Sequence, residues 1–187
     1  MTNRFVLHET PLSGLMVIER KPLGDSRGYL ERLFCEEDLQ AMIFGKRIAQ
    51  INRTLTAKRG TVRGLHFQYP PYAETKFVTC LHGEVYDVAV DLRQGSPTYL
   101  QWHAEILSGD NHKTFVISEG FAHGFQALAE GCEMLYLHTA AYCQEAEGGL
   151  HSQDALLAIH WPLPVVDLSP RDAAHPLLHD EFVGLLV

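Results

Sequence analysis

Lys76-Phe77-Val78-Thr79-Cys80-Leu81 and, two residues on, Glu84-Val85-Tyr86-Asp87-Val88-Ala89-Val90-Asp91-Leu92 are β-prone runs broken only by His82-Gly83, and they read as successive strands. The same punctuation continues outward. From Ala49 to Tyr142 the chain is nearly all short runs of this kind cut by turns. Further strands are expected at Leu100 to Ile106, Thr114 to Ile117, Gly124 to Ala129 and Met134 to Thr139. Strands recurring at such short spacing predict a sandwich or barrel rather than βαβ units. Upstream, Leu15-Met16-Val17-Ile18 and Tyr29-Leu30-Glu31-Arg32-Leu33-Phe34 are strand candidates on either side of a turn cluster from Pro22 to Gly28, and a brief helix is expected at Glu36 to Phe44. Downstream, Ser152 to Ile159 reads as one late helix, while Pro162, Pro164 and Pro170 mark an irregular tail. No repeat, low-complexity tract or linker interrupts the pattern. The expectation is a single all-β domain over residues 1–187, an antiparallel jelly-roll barrel with a few short helices, whose interior is free to hold a ligand.

Composition narrows the partners. The 187 residues are enough for one sizeable core, and a formal net charge of -8 argues against nucleic acid or an anionic membrane as partner, since both need a concentrated basic footprint. Any phosphate site must therefore be local. Cys35, Cys80, Cys132 and Cys143 are widely spread without a C-x-x-C pair, as expected of free thiols in a reducing compartment. The segment Met1 to Glu9 has no apolar core of a leader, and no window reaches the length of a membrane span, so a cytoplasmic location is expected.

Chemistry enters with Gly60-Thr61-Val62-Arg63-Gly64-Leu65-His66-Phe67-Gln68. On a regular strand, Arg63 and His66 fall on opposite faces unless the backbone bulges between them, and Gly64 permits a bulge. A cation able to hold phosphate beside a base that titrates near neutrality points to an enzyme acting on a phosphorylated small molecule. On these residues alone, a surface arginine and a satisfied core histidine are the simpler reading. Lys76, the segment Gly120-Phe121-Ala122-His123-Gly124-Phe125-Gln126 and Tyr136 add further ionisable groups on strands. Asp87 and Asp91 share one face of their strand. An inward carboxylate needs a cation or histidine partner; the simpler reading of that strand alone is the solvent face of an outer sheet. No convergent ligand set predicts a metal, because the obvious His-x-His position reads His66-Phe67-Gln68 and the eleven histidines are otherwise scattered. Neither a P-loop nor G-x-G-x-x-G is present.

Taken as a set, these motifs resemble the dTDP-4-dehydrorhamnose 3,5-epimerase family over nearly the whole chain. The resemblance rests on Asp25-Ser26-Arg27-Gly28, on Gln50-Ile51-Asn52 before Arg63-Gly64-Leu65-His66-Phe67-Gln68, on Asp87-Val88-Ala89-Val90-Asp91-Leu92-Arg93 with Ser96-Pro97-Thr98, and on Phe121-Ala122-His123-Gly124-Phe125. It implies a cupin-type jelly roll without metal or cofactor. It also implies a homodimer built by strand exchange, for which Phe5 to Ile18 is the candidate segment, and a nucleotide-diphosphate sugar as substrate. The implied reaction inverts carbons beside the ketone of a nucleotide-linked 4-keto-6-deoxyhexose. By resemblance His66 is the base, Asp172 in Leu168-Ser169-Pro170-Arg171-Asp172 its partner, Lys76 the enolate stabiliser and Tyr136 the acid on the opposite face. His123 lines the cavity with Asp87 behind it. Arg27 and Arg63 match diphosphate ligands; Gln50, Asn52, Glu147 and Arg171 match further polar contacts, and Tyr142 an aromatic that stacks on the nucleotide base.

Departures from the family pattern are specific. Arg32 stands where a glutamate contacting the nucleotide is usual, which reverses the hydrogen-bond polarity there and makes a cytidine diphosphate sugar an alternative to a thymidine one. Leu137 stands where a lysine often follows the tyrosine, Glu74 replaces a glutamine, and Ser152-Gln153-Asp154-Ala155 replaces W-N-D-P. Rival readings are inversion at C3 or C5 alone, and a sugar-binding cupin without catalysis.

Overall fold

The computed structural model describes residues 4–179 and 181–187. Its strands are β1 (Phe5–Glu9), β2 (Leu15–Arg20), β3 (Leu23–Asp25), β4 (Gly28–Leu30), β5 (Gln50–Thr56), β6 (Val62–Gln68), β7 (Lys76–His82), β8 (Glu84–Asp91), β9 (Trp102–Ser108), β10 (Lys113–Ile117), β11 (Phe121–Ala127), β12 (Cys132–His138) and β13 (Glu147–Gly149). Two one-turn helices join them, α1 (Gln40–Ile43) and α2 (Pro170–Ala173). One sheet runs β1-β2-β10-β7-β12-β5, the other β13-β6-β11-β8-β9, and β3 pairs with β4 as a separate hairpin. All these ladders are antiparallel. The expected jelly roll is what forms.

Side-chain alternation explains why two sheets close on one core. Leu15 and Val17 of β2, Val78 and Cys80 of β7, Phe115 and Ile117 of β10, and Cys132 and Met134 of β12 meet Val85, Ala89, Leu107, Phe121, Phe125 and Ala127 of the facing sheet. The outer faces are covered too. Ile18, Phe77, Val116 and Leu137 pack under Leu39, Met42 and Ile43, while Val88, Val90 and Leu92 pack under Leu150, Leu157 and Leu185. A strand buried on both faces loses polar alternation, as Phe77 to Cys80 shows.

Asp87 and Asp91 are both fully buried on the inward face, which corrects the solvent-face reading of their strand. They do different things. Asp91 takes Arg93 in a fork at 2.9 and 2.7 Å, the Ser96 and Thr98 hydroxyls at 2.6 and 2.7 Å and the Arg93 N–H at 3.0 Å, so the Asp-Leu-Arg and Ser-Pro-Thr motifs make a turn rather than a ligand site. Burial pulls its pKa upward, but these donors outweigh it and hold it at about 2. A depressed folded pKa contributes stability above the unfolded value, lost as pH falls from about 4 towards 2. Asp91→Ala leaves Arg93 uncompensated and is expected to cost about 3 kcal/mol, read from denaturant midpoints at neutral pH.

Three local expectations are corrected. The helix expected at Glu36 to Phe44 shrinks to α1, because residues 36–39 form turns and Phe44 and Gly45 adopt left-handed φ of 49° and 76°. Ser152 to Ile159 is a chain of turns: Asp154 spends its carboxylate on the Leu156 and Leu178 N–H groups, and Ala158 has φ 46°. The strand expected at Tyr29 to Phe34 ends at Leu30, and Glu31 instead pairs with Arg20 at 2.9 Å and His112 at 2.8 Å.

Candidate active site

The barrel interior grades from apolar to polar along its strands. On β12 the inward series runs Cys132, Met134, Tyr136; on β7 it runs Cys80, Val78, Lys76; on β11 it runs Ala127, Phe125, His123. The polar ends meet in one cavity of about 260 Å³ lined by Asn52, Thr54, Arg63, His66, Phe67, Gln68, Glu74, Lys76, His123, Phe125, Tyr136, His138, Tyr142, Glu147 and Arg171.

Arg63 and His66 reach the same cavity because β6 and β11 slip register between them: His66 faces His123, and Arg63 faces Phe125. The slip depends on two glycines. Gly64 has φ 117°, and a Cβ there would lie 2.6 Å from Gly124 Cα and 2.7 Å from the His123 carbonyl oxygen. Gly64→Ala is therefore expected to lose roughly 2–4 kcal/mol through combined backbone strain and overpacking. A thermal melt checks this, since an ordinary strand position would show little change.

His66 is wired to the chain's far end. Its Nε2 lies 2.8 Å from Asp172 Oδ1, while Asp172 Oδ2 accepts the Gly64 N–H at 3.2 Å. The carboxylate is held there by α2, whose first turn Ser169-Pro170-Arg171-Asp172 is an N-cap serine with proline next. Ser169 Oγ accepts the Asp172 N–H at 3.0 Å. The tail expected from Pro162, Pro164 and Pro170 is irregular as read, except for this one helical turn. Burial pushes the Asp172 carboxyl up, but the His66 hydrogen bond and charge, the Gly64 N–H and Arg171 more than reverse it and hold it at about 2. Asp172 thus stays ionised and fixes one imidazole nitrogen, leaving Nδ1 as the lone-pair nitrogen.

Lys76 is buried and donates from Nζ to the His66 carbonyl at 3.3 Å, with Glu74 Oε1 at 3.5 Å. Glu74 also takes His138 Nδ1 at 2.9 Å. Burial raises the Glu74 pKa, yet His138 and Lys76 together bring it below its ordinary value. Tyr136 is buried, 6.1 Å from the His123 ring and 6.0 Å from that of His138. Burial first, then the Asp87 charge, pushes its hydroxyl far above the ordinary phenol value, so it is protonated at neutral pH. His123 Nε2 lies 2.8 Å from Asp87 Oδ1, the buried pairing expected of an inward carboxylate, and burial raises the Asp87 pKa against the pull of His123 and Lys76.

Nine of the expected contacts line the cavity, with Asp172 behind His66. Three do not. Gln50 lies at its edge, its Oε1 accepting the Tyr142 N–H at 3.0 Å. Arg27 is on the exposed β3–β4 hairpin, forked onto Asp25 at 3.1 and 2.5 Å. Arg32 sits past that hairpin with Asp38 at 3.4 Å. The physical reason is topology: the hairpin leaves from β2, which β10 separates from β7 and β12, the strands of that sheet that carry Lys76 and Tyr136 to the cavity. The sequence reading omitted Thr54, Phe67, Gln68, Glu74, Phe125 and His138 as site residues. Two-residue spacing to Lys76 and Tyr136 was the available signal for Glu74 and His138.

The structure also brings together a set that spacing hid. His66, Asp172 and His175 offer ligand atoms within 4.8 Å of one another, enough to consider a metal ion. A cation there would take the His66 nitrogen from Asp172 and face the Arg171 guanidinium, 3.2 Å from that same Nε2. The geometry suits a hydrogen-bonded imidazole–carboxylate pair better.

The jelly-roll barrel thus holds a carboxylate-backed imidazole, a buried ammonium and a buried phenol at its polar end. Residues 9–180 match the family model described as dTDP-4-dehydrorhamnose 3,5-epimerase, and the chain belongs to that family. The dTDP-4-dehydrorhamnose 3,5-epimerase of Sinorhizobium fredii is 39% identical over 168 residues, covering 89% of this chain and 86% of its own. The crystal structure of dTDP-6-deoxy-D-glucose-3,5-epimerase from Legionella pneumophila, in complex with dTDP-4-keto-L-rhamnose, superposes with a TM-score of 0.91 at 40% identity, covering 98% of each chain. A Streptomyces niveus relative, 38% identical over 162 residues and covering 86% of this chain and 78% of its own, is a dTDP-4-dehydrorhamnose 3-epimerase.

Proposed function

We propose that this chain epimerises a nucleoside-diphosphate 4-keto-6-deoxyhexose at C3 and C5, working without a metal as a single jelly-roll domain in the cytoplasm. The observation that carries the reading is convergence: a base wired to a buried carboxylate at 2.8 Å, a buried ammonium and a buried protonated phenol border one cavity. His66 removes the proton beside the ketone, the C–H pair moves into an enolate, and the Lys76 ammonium stabilises the oxygen that becomes negative. Asp172 stabilises the imidazolium that forms. Tyr136 then delivers its hydroxyl proton to the opposite face of the carbon; the imidazolium releases its proton to solvent and the phenolate takes one back, so both groups are reset for the next inversion. Arg63 and Arg171 hold the diphosphate, for which planar forked donors suit phosphate oxygens. Asn52, Glu147 and His123 add polar contacts, and Tyr142, half exposed at the rim, stacks on the base.

The cavity lies at the small end for ligand sites, which suits the sugar and leaves the nucleotide at the rim. Arg27 and Arg32 lie outside it, and β1 forms a sheet edge. Both fit a homodimer made by N-terminal strand exchange, in which each hairpin serves the partner's site. Removing residues 1–18 is then expected to give aggregated or unfolded protein. An active monomer in light scattering would contradict the exchange. Arg32 is the residue that sets thymidine against cytidine, and calorimetry with dTDP and CDP on the parent and Arg32→Glu reads it.

Incubation of a dTDP-linked 4-keto-6-deoxyhexose with the protein in deuterium oxide tests the reading. NMR is expected to find deuterium at both C3 and C5. Label at C3 alone would make the chain a 3-epimerase, and label at neither would overturn the proposal.

A further inference from the structure

His175 follows α2, three residues past Asp172, and its ring is 14% exposed. It meets the His66 ring edge to face, with centroids 5.4 Å apart at 71°. Its Nε2 is buried without a hydrogen-bond partner among the described residues, 3.8 Å from Asp172 Oδ1, the same oxygen that pairs with His66. The ring fills space that only a glycine leaves open. A Cβ on Gly149 would lie 2.2 to 2.4 Å from three of its atoms. Gly149 is also the residue directly opposite His66 across the β13–β6 ladder. A single missing side chain beside the base thus makes room for a second imidazole that seals the base and its carboxylate from behind.

We propose that His175, seated on Gly149, is a positioning residue that keeps water off Asp172 and holds the His66 ring in its reactive orientation. The inference rests on the reading of His66 as base. Burial first, then the His66 charge, lowers the His175 pKa, so the ring is neutral when the base works. The charged and titratable groups around the pair are Asp172 and Arg171 from α2, Glu147 from β13 through Arg171, Lys76 from β7 at the His66 carbonyl, and His123 from β11 opposite. None of them occupies the space that His175 fills. Without the ring, water reaches the carboxylate and the imidazole gains rotamers, both of which weaken a preorganised base.

His175→Ala is expected to lower kcat roughly tenfold, on the scale of misplacing a reacting group by a fraction of an ångström, with KM unchanged. Gly149→Ala should lower kcat by displacing the ring, yet cost nothing further in the His175→Ala background, because the added methyl then meets no imidazole. His175→Phe, a flat ring without nitrogen, should restore most of the lost turnover. A parental kcat in His175→Ala, or an equal Gly149→Ala cost in both backgrounds, would overturn the positioning role while leaving His66 as base. Parental turnover in His66→Asn would overturn the base itself. A merely structural His175 would lower the melting temperature and leave kcat unchanged.

Discussion

His66→Asn is expected to lower turnover by about 100-fold or more, the usual scale for losing a positioned acid–base group, while fold and dTDP binding persist. The amide fills similar space beside Asp172 but carries no nitrogen lone pair that titrates near neutrality. Asp172, held at about 2 by His66, Gly64 and Arg171 against the pull of burial, stays ionised across the working range. Steady-state kinetics and calorimetric titration with dTDP check both halves. Parental turnover in the variant would remove His66 from the mechanism.

Tyr136→Phe separates removal of a proton from its return. The Tyr136 ring lies between those of His123 and His138, and burial together with the Asp87 charge keeps its hydroxyl protonated. Loss of the hydroxyl should lower net epimerisation about 100-fold, while His66 still exchanges the proton beside the ketone with deuterium from solvent. The alternative is a core tyrosine whose ring merely packs, in which case stability falls and inversion proceeds at the parental rate. Measuring deuterium incorporation and product configuration in one NMR experiment tells the two apart. Equal loss of exchange and inversion would mean that Tyr136 serves the first proton transfer rather than the second.

The strands were legible because the sheets alternate cleanly: β7 through β12 fall within a few residues of where hydropathy and turns put them. Residues flanking Gly83 turn the chain as the His82-Gly83 break implied, with Gly83 at φ 78°. The helices were not legible. Acidic residues at Glu36 to Asp38 imitate a helix start, and Asp154 imitates a helical residue while satisfying backbone N–H groups from two segments. Conversely, the Ser169-Pro170 start of α2 was present in the sequence and outweighed by the neighbouring prolines.

In the site, Arg63 with His66 was legible once Gly64 was taken as a bulge, and Asp87 once its cost of burial was considered. The His66–Asp172 pair spans 106 positions of the chain and no local pattern could join it; family resemblance supplied it. His175 had no signal, because its meaning depends on the side chain missing from Gly149. Arg27 and Arg32 matched a motif by sequence, but a motif does not say which copy of the chain it serves.

The central claim is that base and acid oppose each other across one sugar ring. A crystal structure with a dTDP-linked 4-keto sugar bound tests it most directly. The account predicts the sugar between His66 and Tyr136, with the C4 oxygen on Lys76 and the diphosphate on Arg63; a sugar with both groups on the same face, or lying outside this cavity, would contradict it.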